Sequence, residues 1–509
     1  MPRAIRLSLP RHTKRQSLAQ CADIPMSTYS DGGHPSTLLD IGPSRSLPED
    51  SAPMSHVSCL RRTAFSLATA TAIAAAIGPA HAQTLDVPQV SPAVDSAYAK
   101  LEASPLYRKL MADVRADDAR ALAELKTMTE IPAPPFKEKA RAEYFVSRLK
   151  ALGLNDAHID AEGNAIGIRK GTGNGPKLLV SAHLDTVFPE GTDVTVKSRD
   201  GKLYAPGIGD DTRGLAVLLS WLKVLNENNV RTVGDLVFVG NVGEEELGNL
   251  RGMRAVFRDH PDIDGMVGIE PGTGERVLTQ GTGSHRYEVT FRGPGGHSFG
   301  AFGLPSAIHA MGRAIGKIGD VRTPADPKTT FTVGTVGGGT SVNAIAGDAR
   351  MAIDIRSNAT PSLLETEKQI MDAIAAGVAE ENRRWSAAKG QEITFQARQI
   401  GDRPAGMTPG NAVIVQSAVR VIKANSKEAP SLRGGSTDAN VPMALGIPAI
   451  IIGSGGKSGG SHSRDEWFDP THAYEGAQWG LTTVLGLVGV QGIDAPLLER
   501  RPGKPPITR

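Results

Sequence analysis

Two periods of hydrophobic and polar residues alternate along the first half of the chain. Apolar positions recur at helical spacing through "SPLYRKLMADVRADDARALAELKTM" and "KEKARAEYFVSRLKAL", which predicts amphipathic helices. Short apolar runs follow, "KLLVSAHLD", "DLVFVGNV" and "DGMVGIE", separated by the helical patterns "RGLAVLLSWLKVLNE" and "LRGMRAVF". This alternation of strand and helix predicts an α/β fold with a mostly parallel sheet flanked by helices.

The pattern changes near residue 285, where the predicted elements take the order of an α+β unit. From "RYEVTFRGPGGHS" onwards the chain predicts a strand, a helix over 304–318, the strands "TTFTVGTVGG" and "DARMAIDIRS", and a long helix from about 360. We therefore predict an inserted α+β domain over 285–402, with two helices against a small antiparallel sheet. The segments 83–284 and 403–509 then form two parts of one domain, because "NAVIVQSAVRVIKAN", "IPAIIIG" and "AYEGAQWGLTTVLGLVGV" resume the earlier pattern.

Residues 1–82 have the features of a leader. A pair of arginines precedes the weakly apolar run "TAFSLATATAIAAAIGPA" and the small-residue site "AHA", an arrangement typical of export signals. We expect cleavage near Ala82 and a periplasmic or secreted mature protein, with the general and the twin-arginine routes both open. The segment before this signal is rich in Ser, Pro and Arg, which favours Met54 as the true start.

The composition is that of an ordinary globular protein. Of the 509 residues, 40% are hydrophobic and 22% are charged, and no apolar stretch is long enough to predict a bilayer span in the mature chain. Loss of residues 1–82 would leave 48 basic and 49 acidic residues, a balance that gives no reason to expect a nucleic-acid partner. It would also remove both cysteines, Cys21 and Cys59, which excludes a cysteine nucleophile and a cysteine-ligated metal.

Acidic and histidine side chains occur where predicted strands end, which is where open α/β sheets place their sites. In "SAHLDTV", His183 and Asp185 are two positions apart, so an extended strand directs both side chains to one face. A carboxylate beside an imidazole can fix which ring nitrogen meets a metal, although a half-buried histidine without a ligand role is the commoner occurrence. In "YAPGIGDDTRG", Asp210 and Asp211 precede a helix, and N-capping explains one of them but not both.

Three consecutive glutamates, Glu244, Glu245 and Glu246, directly follow the apolar run "DLVFVGNV". Adjacent carboxylates repel one another, so the cluster requires positive charge beside it. Glu270 ends the strand "GMVGIE", and His462 lies in the glycine-rich loop "GGSHSRDEW". Taken singly, each is equally well explained as a solvated loop residue, but their joint occurrence at consecutive strand ends favours a metal site.

As a set, these segments resemble the M20 metallopeptidases, a family of co-catalytic zinc exopeptidases and amidohydrolases. The matching segments are "SAHLDTV", "GIGDDTRG", "NVGEEELG", "GIEPG", "GPGGHS", "SVNAIAGDARMAIDIRS", "GGSTDAN" and "HSRDE", in the family's order over roughly residues 110–490. The resemblance implies two divalent metal ions, zinc in the first place and otherwise cobalt or manganese. It places His183 and Glu270 on one ion, Glu245 and His462 on the other, and Asp210 between them.

The resemblance also implies a glutamate that stays off the metals and acts as general base, with Asp185 as a second catalytic carboxylate. Alignment on the preceding strand makes Glu244 the base and Glu245 the ligand. Alignment on the glycine after the cluster shifts these roles to Glu245 and Glu246. We prefer the first alignment, because strand register fixes geometry while the following loop tolerates an insertion.

In the inserted domain, the resemblance implies substrate contacts and a homodimer. His297 in "GPGGHS" resembles the family histidine that reaches a neighbouring subunit's active site and stabilises the oxyanion. Asn343 and Arg356 resemble the polar pair that holds the substrate, although a surface role is the alternative for Arg356. The segment "GGSTDAN" either forms an anion-binding turn or provides Asp438 as a helix N-cap.

The expected function is hydrolysis of an amide bond next to a free terminus of a small peptide, through an activated water and a glutamate base. A deacylase of N-acyl amino acids, of the acetylornithine deacetylase type, is the alternative within enzymes. A periplasmic binding or scaffolding protein that kept the fold and lost the chemistry is the alternative outside them. That last alternative is disfavoured, because every ligand position and the base position are filled.

Overall fold

The computed structural model describes residues 84–501, so the predicted leader over 1–82 lies outside the described residues. The helices of this part are α1 (Pro92–Ala103), α2 (Pro105–Ala116), α3 (Asp118–Thr129), α4 (Lys139–Ala151), α5 (Thr212–Glu227), α6 (Arg251–Asp259), α7 (Ala307–Gly319), α8 (Thr360–Arg384), α9 (Val413–Asn425), α10 (Asn440–Ala444) and α11 (Ala473–Val488). Within 84–501, none of them is both long enough and apolar enough to cross a membrane.

The strands of residues 84–501 form two larger sheets and two small ones. Their bounds are β1 (Thr84–Leu85), β2 (His158–Ile159), β3 (Ala165–Arg169), β4 (Lys177–His183), β5 (Lys197–Arg199), β6 (Lys202–Tyr204), β7 (Asp235–Asn241), β8 (Gly265–Glu270), β9 (Arg276–Gly281), β10 (Gly283–Arg292), β11 (Gly296–His297), β12 (Thr329–Gly338), β13 (Ala344–Ile345), β14 (Asp348–Ser357), β15 (Thr394–Arg403), β16 (Gly406–Met407), β17 (Ser431–Gly435), β18 (Ala449–Gly453), β19 (Lys457–Gly459) and β20 (Trp467–Asp469).

The main sheet has ten strands in the order β1-β17-β9-β18-β8-β4-β7-β3-β2, with β16 paired to β9. Its central strands β18, β8, β4 and β7 are parallel to their neighbours within this group. Strands β9 and β3 pair antiparallel with the two edges of the group. The predicted α/β fold is therefore confirmed, as a mixed sheet with a parallel centre.

The central strands are buried on both faces and contribute to two separate cores. Leu178 and Val180 of β4 pack in the cluster that contains Trp221 of α5, whereas Leu179 packs in the cluster that contains Met253 of α6. Successive side chains of a strand point to opposite faces. Helices on both sides of the sheet therefore explain why this strand is apolar at nearly every position.

Helices α5 and α11 approach each other closely on one face of the main sheet. Trp221 is 1% exposed, and its Nε1 donates a hydrogen bond of 2.8 Å to the carbonyl of Ala477. A Cβ atom at Gly480 would lie only 2.5 Å from the Trp221 ring. A residue without a side chain is therefore required at this point of α11.

The second sheet, called here the lid sheet, has the antiparallel order β12-β14-β10-β15. Helices α7 and α8 cover one of its faces, where Met351, Ile353 and Ile355 of β14 join a third core. The intervening Asp354 and Arg356 lie on the other face and are only partly buried. This arrangement of two helices on a small antiparallel sheet agrees with the predicted α+β unit.

A small four-stranded sheet, β19-β20-β6-β5, joins two distant parts of the chain. Trp467 and Phe468 of β20 pair with Tyr204 and Leu203 of β6. The loop that follows β6 and the loop that precedes β20 are therefore neighbours. The pattern of hydrophobic and polar residues did not predict these short strands.

Candidate metal centre

The parallel strands of the main sheet bring their carboxyl ends to one edge. Strand β4 ends at His183, its neighbour β8 ends at Glu270, and β7 on the other side leads into the loop with Glu244 and Glu245. Parallel neighbours end on the same side of a sheet, which is why residues up to 87 positions apart in sequence meet here.

Asp210 lies between two groups of potential metal ligands. His183, Asp210 and Glu270 form one group, and Asp210, Glu245 and His462 form the other, with the ligand atoms of each group within 4.8 Å of one another. Asp210 Oδ1 is 3.0 Å from His183 Nε2, and its Oδ2 is 3.4 Å from His462 Nε2. The structure thus brings together the five predicted ligands, with one oxygen of Asp210 facing each histidine.

The glutamate cluster divides into two buried side chains and an exposed one. Glu244 and Glu245 are each 6% exposed, whereas Glu246 is exposed and its backbone has a positive φ of 50°. His462 Nε2 lies 3.0 Å from Glu245 Oε1. Glu244 also falls in a ligand group with His183 and Glu245, so both buried glutamates are close to the candidate metal positions.

Asp185 contacts backbone amides rather than the imidazole. Its carboxylate accepts hydrogen bonds from the amides of Glu244 at 3.2 Å and Glu245 at 2.8 Å. The Nδ1 atom of His183 instead lies 3.0 Å from the backbone carbonyl of Asp185 and 3.7 Å from its carboxylate. The ring nitrogen is thus oriented by the main chain, while the side chain of Asp185 holds the glutamate loop.

Two further buried carboxylates hold the loop that carries Asp210. Asp211 caps α5, because its carboxylate accepts a hydrogen bond from the amide of Gly214. It accepts a second hydrogen bond from the amide of His183, and both bonds are 3.2 Å long. This agrees with the expectation that N-capping accounts for one of the paired aspartates. It leaves Asp210 free of that structural role.

Glu466 is the second of these carboxylates, and no role was predicted for it from the sequence although it lies in "HSRDE". Its side chain is fully buried and accepts hydrogen bonds of 2.8 to 2.9 Å from the amides of Gly207, Gly209 and Asp210. Burial raises the pKa of Glu466 to about 7, and the negative charge of Asp210 adds to this effect. The segment that carries His462 is thereby fastened to the segment that carries Asp210.

Arg403 was also missed by sequence analysis. Its Nη1 lies 3.2 Å from Glu244 Oε1 and its Nη2 donates to the Glu244 carbonyl. Burial raises the pKa of Glu244 well above its ordinary range, opposed by the charge of Arg403. The only signal in the sequence was an arginine at the end of a strand whose role depends on a loop about 160 residues earlier.

The carboxylates make the cluster strongly electronegative, as the pKa values of its histidines show. Hydrogen bonds to Asp210 and Glu245 raise the pKa of His462 to about 10. Burial alone would lower the pKa of His183, but the hydrogen bond to Asp210 and the nearby carboxylates raise it well above its ordinary value. Neutral imidazoles and carboxylate oxygens are the ligands that zinc takes when thiolates are absent, so the residues present fit a pair of divalent cations.

These residues form one wall of a cleft of about 440 Å³. It is lined by Val187, Asp210, Glu244, Glu245, Glu246, Glu270, Arg276, Arg286, Arg356, Arg403, Gly435, Ser436, Thr437 and His462. Arg356 of the lid sheet thus reaches the cleft, as the sequence led us to expect. Thr437 lies beside the buried Asp438, whose pKa burial raises to about 6.

His297 and Asn343 lie together but do not line the cleft of their own chain. Strands β11 and β13 pair His297 with Ala344, and the amide of Ser298 donates a 2.9 Å hydrogen bond to the carbonyl of Asn343. Both side chains are exposed. The structure therefore separates these two residues from Arg356, with which the sequence had grouped them.

Comparison with known proteins gives one family. The sequence profile of Peptidase family M20/M25/M40 matches residues 179–485, which includes all five predicted ligands. The chain is 24% identical to succinyl-diaminopimelate desuccinylase of Corynebacterium glutamicum over 348 residues, which cover 67% of this chain and 89% of the relative.

Solved structures share the fold. A tripeptidase of Staphylococcus aureus superposes with a TM-score of 0.61 at 22% identity, over 72% of this chain and 97% of its own. A dinuclear metal-binding peptidase of Bacillus subtilis superposes with a TM-score of 0.55 at 16% identity, over 73% of this chain and 99% of its own. At these identities the superpositions establish the α/β architecture and its second domain.

Proposed function

The chain belongs to peptidase family M20/M25/M40, and from that premise we propose that it is a two-metal exopeptidase for small peptides. It would cleave an amide bond next to a free terminus. The observation that carries the proposal is the position of Asp210, whose two carboxylate oxygens face His183 and His462 in two separate ligand groups. A shared carboxylate is what two cations a few ångströms apart require.

His183 and Glu270 would hold one cation and Glu245 and His462 the other, with Asp210 between them. When bound, the cations would polarise the scissile carbonyl and make a water molecule acidic enough to attack it. Zinc is the cation we propose first, with cobalt and manganese as alternatives, because nitrogen and oxygen ligands accept all three.

Glu244 would be the general base. Its carboxylate is buried beside the ligand groups, and Arg403 holds one of its oxygens at 3.2 Å. From this position it would take a proton from the attacking water and pass it to the departing amine. Asp185 would serve this step indirectly, since it fixes the backbone of both Glu244 and Glu245.

His297 and Asn343 would act in a homodimer, by reaching the cleft of a second copy of the chain. Both are exposed, and Phe299 and Val342 next to them are exposed apolar side chains, Phe299 at 89%. Exposed apolar side chains clustered on a surface are typical of an interaction site. Arg356 already lines the cleft of its own chain and would hold the substrate there.

A deacylase of N-acyl amino acids is the second candidate function, favoured by the similarity to a desuccinylase over most of that protein's length. Both reactions hydrolyse an amide, so the same residues would serve either. The difference lies in the group on the acyl side of the bond.

The test is to purify the protein, remove its metal with a strong chelator, and assay it before and after zinc, cobalt or manganese is restored. Panels of dipeptides, tripeptides and N-acyl amino acids would be followed by release of free amine. We expect about two ions per chain, loss of hydrolysis on chelation, and recovery with metal. Hydrolysis that is indifferent to chelation would contradict the proposal, and preference for the N-acyl panel would favour the second candidate.

A further inference from the structure

The cleft is poor in apolar side chains. Among the described residues that line it, Val187 is the only aliphatic one, and the others are charged residues, one histidine, one serine, one threonine and one glycine. A leucine or phenylalanine side chain bound there would take charges out of water and gain little apolar contact. The cleft therefore favours a substrate fragment that is itself charged.

Four arginines line the cleft, and one of them is already neutralised. Arg403 pairs with Glu244, and their side chains are 8% and 7% exposed. Separating a buried ion pair of this kind is costly, because it leaves both charges without a partner. Arg403 therefore does not provide a charge for the substrate, and three arginines remain.

Arg286 and Arg356 share a single carboxylate on the open face of the lid sheet. Arg286 is opposite Asp354 in the register of β10 and β14, and Arg356 is two positions further along the same face. The Nε atoms of Arg286 and Arg356 lie 3.1 and 2.7 Å from the two oxygens of Asp354. One negative charge between two guanidinium groups leaves a positive charge in excess.

The position of Arg286 is also fixed by the strand beside it. A Cβ atom at Gly401 would lie 3.0 Å from Cδ of Arg286, so the glycine provides the space in which this side chain lies. Nη1 of Arg286 donates a 2.8 Å hydrogen bond to the carbonyl of Glu246. Arg286 thus connects the lid sheet to the glutamate loop at the edge of the cleft.

Arg276 has a cationic side chain with no acidic partner. Its Nη1 donates to the carbonyl of Pro271, and it forms no ion pair with any residue in the described part of the chain. Burial raises the pKa of Glu270, and the charge of Arg276 is near enough to oppose that rise. A partly buried guanidinium group on the wall of a cleft is suited to bind a carboxylate through two parallel hydrogen bonds.

We propose that the substrate held against Arg276, Arg286 and Arg356 carries two carboxylates, a proposal that rests on the proposed function. Arg356 meets the first carboxylate, and Arg276 and Arg286 are the specificity-determining residues for the second. Arg276, Arg286 and Arg356 carry three positive charges, and the carboxylate of Asp354 neutralises one of them. That count leaves an excess of two positive charges, which a dianion neutralises.

The second carboxylate of such a substrate can lie on either side of the scissile amide, and matched substrates distinguish the two cases. For a carboxyl-terminal acidic residue, the pair is an N-acyl-glutamate and the N-acyl-glutamine of the same acyl group. For a dicarboxylic acyl group, the pair is N-succinyl-leucine and the same compound with the outer carboxylate converted to an amide. The members of each pair have nearly equal size and differ by one charge. The holoenzyme is assayed with all four, and kcat/KM is compared within each pair.

We expect the acid to exceed its amide partner in kcat/KM by at least about tenfold in one of the pairs, since hydrogen bonds between charged groups are roughly twice as strong as those between neutral groups. In Arg276→Gln and Arg286→Gln this ratio should fall toward one. Arg292→Gln, which changes an exposed arginine on the same strand as Arg286, should keep the wild-type ratio. Metal content and circular dichroism confirm that each variant is folded.

Equal rates within both pairs, or faster cleavage of the amides, would overturn the proposal while leaving the hydrolase function intact. The same holds if Arg276→Gln and Arg286→Gln retain the full ratio. If neither the four compounds nor the peptide panel is hydrolysed by the metal-loaded protein, the proposed function fails and this inference fails with it.

Discussion

At the scale of single residues, Glu244 and Glu245 are adjacent in sequence but have different surroundings. Glu245 faces His462, whereas Glu244 is held by Arg403 at its side chain and at its carbonyl. A metal ligand has to lie next to the other ligands of its ion, whereas a general base has to be held close to the metal site without coordinating an ion. The contacts of the two residues therefore agree with the alignment on the preceding strand that we preferred from the sequence.

The first prediction separates these roles. Glu244→Ala should retain both metal ions and lose turnover by roughly a hundredfold or more, because it removes the proton acceptor but no ligand. Elemental analysis and kcat are measured on the same preparation. Glu246→Ala is the matched comparison, since it removes an exposed carboxylate of the same cluster, and it should keep both ions and most of its turnover. Loss of metal from the Glu244 variant would move this residue into the ligand set.

The second prediction concerns Glu466, which contacts no predicted ligand side chain and yet fixes the backbone of Asp210. Glu466→Gln would place an NH₂ group against backbone amides that require an acceptor. We expect metal affinity to fall by about tenfold or more, as is usual when a group that orients a ligand is altered. Competition with a chelator measures this affinity. Asp465→Asn changes a neighbouring exposed carboxylate and should bind metal as the wild type does. If the Glu466 variant also binds metal with wild-type affinity, Glu466 does not position Asp210 for the metal.

At the scale of elements, the pattern of hydrophobic and polar residues predicted the bounds of an element where those bounds depend on its own residues. Strands β12 and β14 begin and end where the alternation of "TTFTVGTVGG" and "DARMAIDIRS" predicted. The long helical pattern over 104–128 is in fact two helices that meet at Asp117, with no proline or glycine to mark the break. There the carboxylate of Asp117 accepts a hydrogen bond of 2.7 Å from the hydroxyl of Ser220 in α5. The periodicity of the sequence cannot reveal such a tertiary contact.

The third prediction is made at a helix contact. Gly480→Ala should lower the free energy of unfolding by about 1–3 kcal/mol, because its Cβ would overlap the Trp221 ring and the two helices must move apart. Gly312→Ala in α7 is the control: its Cβ would have no neighbour within 4 Å, and we expect a change of less than about 1 kcal/mol in the stabilising direction. Urea unfolding measures both. Equal stability of the two variants would show that α5 and α11 have room for a methyl group at this contact.

At the scale of the whole molecule, the sequence predicted the α/β fold, its α+β unit and the five candidate ligands, since all of these follow from periodicity and from matching motifs. It did not predict the groups that hold a candidate ligand and the proposed base. Glu466 and Arg403 act on Asp210 and Glu244, which are 256 and 159 positions away. Which carboxylate meets which amide depends on how distant loops pack, and a linear pattern contains no such information.

The fourth prediction tests the homodimer. His297→Ala and Glu244→Ala should each have little activity alone, because each lacks one component of every site. When the two variants are mixed under conditions that allow subunit exchange, half of the dimers should be mixed and one of their two sites complete, which restores about a quarter of wild-type activity. Sedimentation measures the mass of each preparation. A monomeric wild type, or no recovery on mixing, would place the action of His297 within its own chain.

The three hydrogen bonds that the Glu466 carboxylate accepts from the amides of residues 207, 209 and 210 have a consequence for the synthesis of the chain. A ribosome that has translated the chain as far as residue 453 has already made every strand of the parallel centre, but not the loop with His462 or the carboxylate that fixes Asp210. A nascent chain of that length lacks one candidate ligand, His462, and the loop of another, Asp210, has no Glu466 to hold it. We therefore expect the nascent chain to be inactive until the segment with His462 and Glu466 has been made.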